Sequence, residues 1–169
     1  PFGGIIVSNR PFDLALASKV DEIFTEVLIG PSFTDDALEL LKKKKNRRLL
    51  SFDRSKIDPG QVESRRVFGG LLLQESDPAP EEVKTANLVT ETAPSDEQRT
   101  AMEFAWRVVK HVKSNAIVFA VADRTLAIGG GATSRVDAVH AASAKAARVG
   151  LSLKGSVLAS DAFFPFADG

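Results

Sequence analysis

Lys113–Arg135 reads Lys-Ser-Asn-Ala-Ile-Val-Phe-Ala-Val-Ala-Asp-Arg-Thr-Leu-Ala-Ile-Gly-Gly-Gly-Ala-Thr-Ser-Arg, and its pattern decides the fold class. Ala116–Ala120 is an apolar run of strand length, Val121–Arg124 a polar turn and Thr125–Ile128 a second apolar run. This hairpin leads into Gly129, Gly130 and Gly131, after which Thr133 or Ser134 can cap a helix carrying Arg135 in its first turn. Such a unit suits an anion. Glycine permits close backbone approach, the helix start offers N–H groups and a positive dipole end, and Arg135 adds a planar bidentate partner. Two common phosphate motifs are excluded: no Lys lies between Gly129 and Arg135, and the sixth residue from Gly129 is Ser134 rather than glycine. A tight strand-to-helix turn without ligand fits the same pattern, so both readings stand.

Composition narrows the function classes. The 169 residues allow one well-buried domain or two small lobes. Lys and Arg number 22 and Asp and Glu 22, a formal net charge of zero. That argues against a dedicated nucleic-acid surface or a polybasic membrane anchor. With no Cys there is neither disulfide nor thiolate chemistry, which fits a reducing, cytoplasmic compartment. His111 and His140 are the only histidines, too few for a histidine-rich metal site, and no metal is expected. No apolar run reaches membrane-spanning length, and Pro1-Phe2-Gly3-Gly4 lacks a signal-peptide layout. Both ends read as cut, so a central piece of a larger domain is expected.

From the N-terminus, Phe2–Val7 reads as a strand ended by Asn9-Arg10-Pro11. Asp13 opens a helical segment with Leu14, Leu16, Ala17, Val20, Ile23 and Phe24, and Glu26–Ile29 is a strand closed by Gly30-Pro31. Ser32 or Thr34 caps a second helix through Leu41 that runs into Lys42–Lys45, and Leu49–Phe52 is a short strand. Residues 53–64 read as turn and loop, and Val67–Gln74 as a strand whose Gly69-Gly70 pair marks a bulge or a close ligand approach. The first part of the domain spans 1–76, a Pro-containing connector 77–87, and the second part 88–169. In that second part Leu88–Val89 is a strand fragment, and Ser95 with Gln98 has capping-box spacing. The helix it opens should run to about Lys113, burying Met102, Ala105, Trp106, Val109 and Val112. After the glycine loop, a helix with a small-residue face runs through Val136, Val139, Ala142, Ala146 and Ala147, and Val157–Phe166 returns as a strand. Alternating strands and helices indicate a layered α/β domain.

Among polar residues, the Lys42–Lys45 run with Arg47 and Arg48 reads as a solvated helix end, since no aromatics interleave it. His111 ends a helix and His140 sits mid-helix, both structural or surface. Asn115, between a helix end and a strand start, suits either a planar ligand or a cap. Ser160-Asp161-Ala162-Phe163-Phe164-Pro165-Phe166 sets a rigid aromatic corner beside a carboxylate, at the kind of strand end where α/β sheets take ligands.

These stretches together resemble the AICAR transformylase (phosphoribosylaminoimidazolecarboxamide formyltransferase) domain of the bifunctional purine-biosynthesis enzyme. The matching motifs are Phe2-Gly3-Gly4-Ile5-Ile6 with Asn9-Arg10; Phe24 and Glu26 before Gly-Pro; Lys43-Lys44-Lys45-Asn46; and Gly69-Gly70-Leu71-Leu72 with Gln74. Lys110–Val118 follows, then Ile128-Gly129 with Gly131 and Ser134-Arg135, and Ala159–Phe166 with Asp168-Gly169. They occur in family order over nearly the whole chain.

The resemblance implies a layered α/β/α sandwich of cytidine-deaminase type without its zinc. It implies formyl transfer from 10-formyltetrahydrofolate to aminoimidazole carboxamide ribonucleotide in purine (IMP) biosynthesis. It also implies homodimers with active sites at the subunit interface. By position, Gly3, Glu26, Asn115 and Arg135 would contact the nucleotide, and Val136, Phe163 and Asp168 would lie along the folate.

Two departures go with it. The family's catalytic Lys-His pair belongs to a Lys-His-x-Asn-Pro-Cys-Gly motif ahead of the Phe-Gly-Gly segment, so no catalytic residue is assigned here and the isolated chain should not turn over. Lys110-His111 is a different part of the pattern, and Ala132 stands where the family usually has Gln. The alternatives are a non-catalytic nucleotide- or folate-binding fragment, a dimerisation module, or a free-standing anion-binding module.

Overall fold

The structure, a computed structural model, describes residues 3–57, 60–77 and 83–166. The chain forms two compact units, Pro1–Pro78 and Ala79–Gly169.

In the first unit, β1 (Gly4–Val7), α1 (Leu14–Asp21), β2 (Thr25–Gly30), α2 (Asp35–Leu41) and β3 (Arg48–Ser51) alternate along the chain. The strands pair parallel in the order β1-β2-β3, as helical crossovers demand. Asp13 caps α1 by accepting from the Leu16 N–H at 2.8 Å. Ala17 and Val20 of α1, Ala37 and Leu41 of α2, Leu28 of β2 and Phe12 make one buried cluster, against which Ile6 and Leu49 pack. Alternation along the strands leaves Ile5, Val7 and Leu50 exposed on the other face. Both helices therefore cover the same side of this sheet. Ile23 and Phe24, expected in the helical face, lie beyond the end of α1 and are exposed.

The segment expected as loop and then one bulged strand is a hairpin. β4 (Val62–Val67) pairs antiparallel with β5 (Gly70–Glu75), and Phe68-Gly69 is the turn. Gly69 has φ +79°, a turn conformation rather than a bulge. Both strands are exposed along their whole length.

In the second unit, α3 (Asp96–Val109) opens on the expected capping box. The Ser95 side chain accepts from the Gln98 N–H, and the Gln98 side chain accepts from the Ser95 N–H. The helix stops at Val109 instead of about Lys113. Its buried stripe is Ala101, Ala105 and Val109, while Trp106 is 37% exposed. Leu88–Val89 is not a strand. Next come β6 (Ile117–Val121), β7 (Arg124–Gly129), α4 (Arg135–Arg148) and β8 (Val157–Ser160), with antiparallel strand order β7-β6-β8.

The central strand β6 is buried on both faces, which explains its nearly continuous apolar run. Val118 and Ala120 pack with α3 and β8, whereas Ile117 packs with Ala138, Ala142 and Ala146 of α4. This unit is thus an α/β/α three-layer sandwich. The small-residue face of α4 runs through Ala138, Ala142 and Ala146; Ala147 is exposed. β8 ends at Ser160, so Asp161–Phe166 continues as irregular backbone rather than strand. Across the described residues the class is α/β, with one parallel and two antiparallel sheets.

Candidate functional site

Ser134 is the N-cap of α4, its hydroxyl accepting from the Asp137 N–H at 3.1 Å, which puts Arg135 at the first helical position. Gly131 takes φ +70°, and its N–H donates to the Lys113 carbonyl at 2.6 Å. The Ala132 carbonyl accepts twice from Asn115, from its backbone N–H at 3.2 Å and its side-chain Nδ2 at 3.0 Å. The glycine loop is thereby tied to the residues just before β6, and Asn115 acts as a clamp on the loop.

The Arg135 guanidinium donates from Nη1 to Ser160 Oγ at 2.9 Å and to Asp161 Oδ1, and the two side chains of the ion pair are 10% and 18% exposed. Asp161 Oδ1 also accepts from the Ala116 N–H at 2.8 Å. Burial of this carboxyl raises its pKa. Hydrogen bonds from Ser114, the Ala116 N–H and Arg135, with the charge of Arg135, more than offset that and hold it at about 2. Asp161 is an anion at every physiological pH. Arg135 thus faces the end of β8, with a carboxylate of the chain itself as a partner.

Beyond that ion pair, Phe163 is 80% and Phe166 73% exposed, an aromatic ledge on the surface. Val136 is half-buried next to Arg135. Asp168 lies outside the described residues.

Gly3 and Glu26 lie in the first unit and are neighbours there. A Cβ placed on Gly3 would stand 2.2 Å from Glu26 Oε2, so the carboxylate leans over the glycine backbone. Glu26 itself is exposed on β2.

Two features escaped the sequence reading. One is the Arg135–Asp161 pair, whose only sequence signal is opposite charge at a helix start and a strand end 26 residues apart. The other is an open groove of about 550 Å³ in the second unit, lined by Asn87, Met102, Trp106, Leu158 and Ser160. Trp106 contributes to this groove rather than to the core.

The basic run also differs from its reading. Arg47 is buried, its side chain 1% exposed, with Nη1 on Asp21 Oδ1 at 2.8 Å. Lys44 Nζ donates to the Asp21 carbonyl at 2.6 Å and lies 3.2 Å from its carboxylate. These two cations close the end of α1, and the hydrogen bond from Arg47 is the main reason the Asp21 pKa is lowered. His111 and His140 are both exposed. Among the described residues no cluster of three or more His, Asp or Glu side chains could hold a metal ion, and no helix is long and apolar enough to cross a membrane.

Comparison with known proteins covers the whole sequence. A family model described as the AICARFT/IMPCHase bienzyme matches residues 1–145. The chain is 56% identical, over its full length, to the bifunctional purine biosynthesis protein PurH of Chloroflexus aurantiacus, covering 33% of that protein. It is 48% identical over its full length to the PurH protein of Chlorobaculum parvum, and 49% identical over 99% of its length to that of Enterococcus faecalis, covering 32% of each. The chain spans about a third of the length of these curated relatives. A match of this extent and identity makes the chain a member of the AICARFT/IMPCHase bienzyme family of purine biosynthesis.

Proposed function

We propose that the chain supplies part of the nucleotide and folate sites of an AICAR transformylase domain with a layered fold of cytidine-deaminase type. The reaction is formyl transfer from 10-formyltetrahydrofolate to the amine of aminoimidazole carboxamide ribonucleotide, in a cytoplasmic homodimer. The observation that carries this reading is the arrangement around the glycine loop. Asn115 clamps the loop at Ala132, and Arg135 stands at the start of α4 against Ser160 and Asp161, in a chain of this family. Gly3, Glu26, Asn115 and Arg135 are the residues proposed for nucleotide contact.

Bound 10-formyltetrahydrofolate supplies the formyl group. The exposed ring of Phe163 fits a flat heterocycle, and Val136 offers an apolar neighbour. Asp168 completes the proposed folate set. Formyl transfer also needs a base for the amine proton and a group to stabilise the oxyanion, roles that the family's Lys-His motif would fill.

The experiment is nucleotide-binding calorimetry on a full-length bifunctional protein carrying this segment, with Arg135→Ala and Asn115→Ala. Loss of Arg135 should weaken binding by about 1.5–3 kcal/mol, the scale of a charge-assisted hydrogen bond. A second reading is favoured by the contact with Asp161: Arg135 as a purely structural ion-pair partner. It predicts a lower melting temperature and unaltered nucleotide affinity.

A further inference from the structure

We propose that Asp161 is a positioning residue that aims the Arg135 guanidinium at the anionic group of the nucleotide; the inference rests on the reading of Arg135 as a nucleotide contact. An arginine side chain carries five N–H donors in one plane. Two of them sit on Nη1, and Nη1 makes both observed bonds, to Ser160 Oγ and Asp161 Oδ1. Two acceptors on one planar nitrogen define the plane of the whole group. The Nε–Nη2 edge stays outside this network, and that edge grips a carboxylate or phosphate through two parallel bonds.

Both acceptors are themselves anchored. Ser160 Oγ gives its own proton to the Ala162 carbonyl at 2.7 Å, so it faces Arg135 as an acceptor. Asp161 Oδ1 takes the Ala116 N–H at 2.8 Å, and the Asp161 N–H donates to the Ala116 carbonyl at 3.3 Å. The guanidinium, carried by the first turn of α4, is thus referenced to the residue that precedes β6 and to the end of β8. A side chain fixed in this way loses less conformational freedom when a ligand arrives.

Two other roles for Asp161 fit less well. A carboxyl held at about pKa 2 is a poor match for a general base near neutral pH. As a mere competitor for Arg135 it would not need its bond to the Ala116 N–H.

The test uses a full-length bifunctional protein carrying this segment, with aminoimidazole carboxamide ribonucleotide as probe. Asp161→Asn keeps the shape and removes the charge that fixes Arg135. It should raise the nucleotide Kd roughly 10-fold or more, the scale of one charge-assisted hydrogen bond, and raise KM for the nucleotide more than it lowers kcat. Ser160→Ala should act in the same direction and less. In an Arg135→Ala background neither substitution should change the affinity further.

An unchanged or tighter Kd in Asp161→Asn overturns the proposal, as does an equal loss in the Arg135→Ala background. If Asp161→Asn fails to fold, Ser160→Ala decides, and an unaltered Kd there overturns it. If Arg135→Ala itself leaves affinity intact, the nucleotide-contact reading falls and positioning falls with it. If Arg135→Ala weakens binding and Asp161→Asn does not, positioning alone is wrong.

Discussion

Gly129 and Ala138 meet with no room between them: a Cβ on Gly129 would stand 2.0 Å from the Ala138 carbonyl oxygen and 2.8 Å from its carbon. The obstacle is helix backbone, which no rotamer change relieves, so Gly129→Ala must push α4 off β7. Gly131 is the contrast. A Cβ there meets nothing closer than Lys113 Cδ at 3.7 Å, but its φ of +70° disfavours an L side chain. Gly129→Ala should cost about 3 kcal/mol as overpacking, and Gly131→Ala about 1 kcal/mol as backbone strain. The single Trp lies in this unit, so fluorescence-monitored unfolding reads both variants directly. Equal losses at the two glycines would count against the steric account.

What was legible in the sequence was what is local. The Ser134 cap, the glycine loop and the Ser95–Gln98 box are set by residues within a few positions of one another. The hairpin of β4 and β5 was not, because Val62-Glu63-Ser64-Arg65-Arg66-Val67 buries nothing and so shows no apolar periodicity. Gly69-Gly70 then looked like a bulge in one strand instead of a turn between two. The Asp161–Arg135 and Asp21–Arg47 pairs join residues 26 positions apart, and opposite charge alone does not select partners at that range. Trp106 looked like core because it falls among the apolar positions Met102, Ala105, Val109 and Val112 of the helix. The helical stripe that the sheet actually buries is the alanine row beside it.

The capping box of α3 closes the helix start with two reciprocal bonds, of 3.2 Å to the Ser95 hydroxyl and 2.8 Å to the Gln98 side chain. Ser95→Ala removes the acceptor and should cost about 1 kcal/mol, Ser95→Gly only a few tenths. Trp106 fluorescence again gives the readout, and equal costs for Ala and Gly would point away from capping.

Asp21 has a buried dependant. Its removal leaves Arg47, 1% exposed, without its carboxylate partner. Asp21→Ala should therefore cost about 3 kcal/mol, most of it the cost of an uncompensated buried cation. Asp123–Arg124 is the control, an ion pair of 3.1 Å with side chains 72% and 65% exposed. Asp123→Ala should change stability by no more than about 0.5 kcal/mol. Amide exchange in β2 and β3 follows the first unit. Comparable effects from the two aspartates would refute the distinction.

The Asp161 carboxyl also gives the second unit a specific acid response. Its pKa is lowered from 3.8 to about 2 in the folded chain, so the unfolded state binds the proton more readily. The sign follows from that order. The contribution is fully present above the unfolded value, constant from neutral pH down to about 5, and lost as pH falls through 4 toward 2. With the carboxyl only partly shielded from water, its size is about 1–2 kcal/mol. Trp106-monitored urea unfolding should thus give a flat midpoint between pH 7 and 5 and a declining one below 4. Asp161→Asn should be less stable at pH 7 and show a shallower decline below 4, so that the two proteins converge near pH 2–3. A stability difference between them that stays constant from pH 7 to 2.5 would show that the loss comes from packing or hydrogen-bond geometry and not from the charge on Asp161.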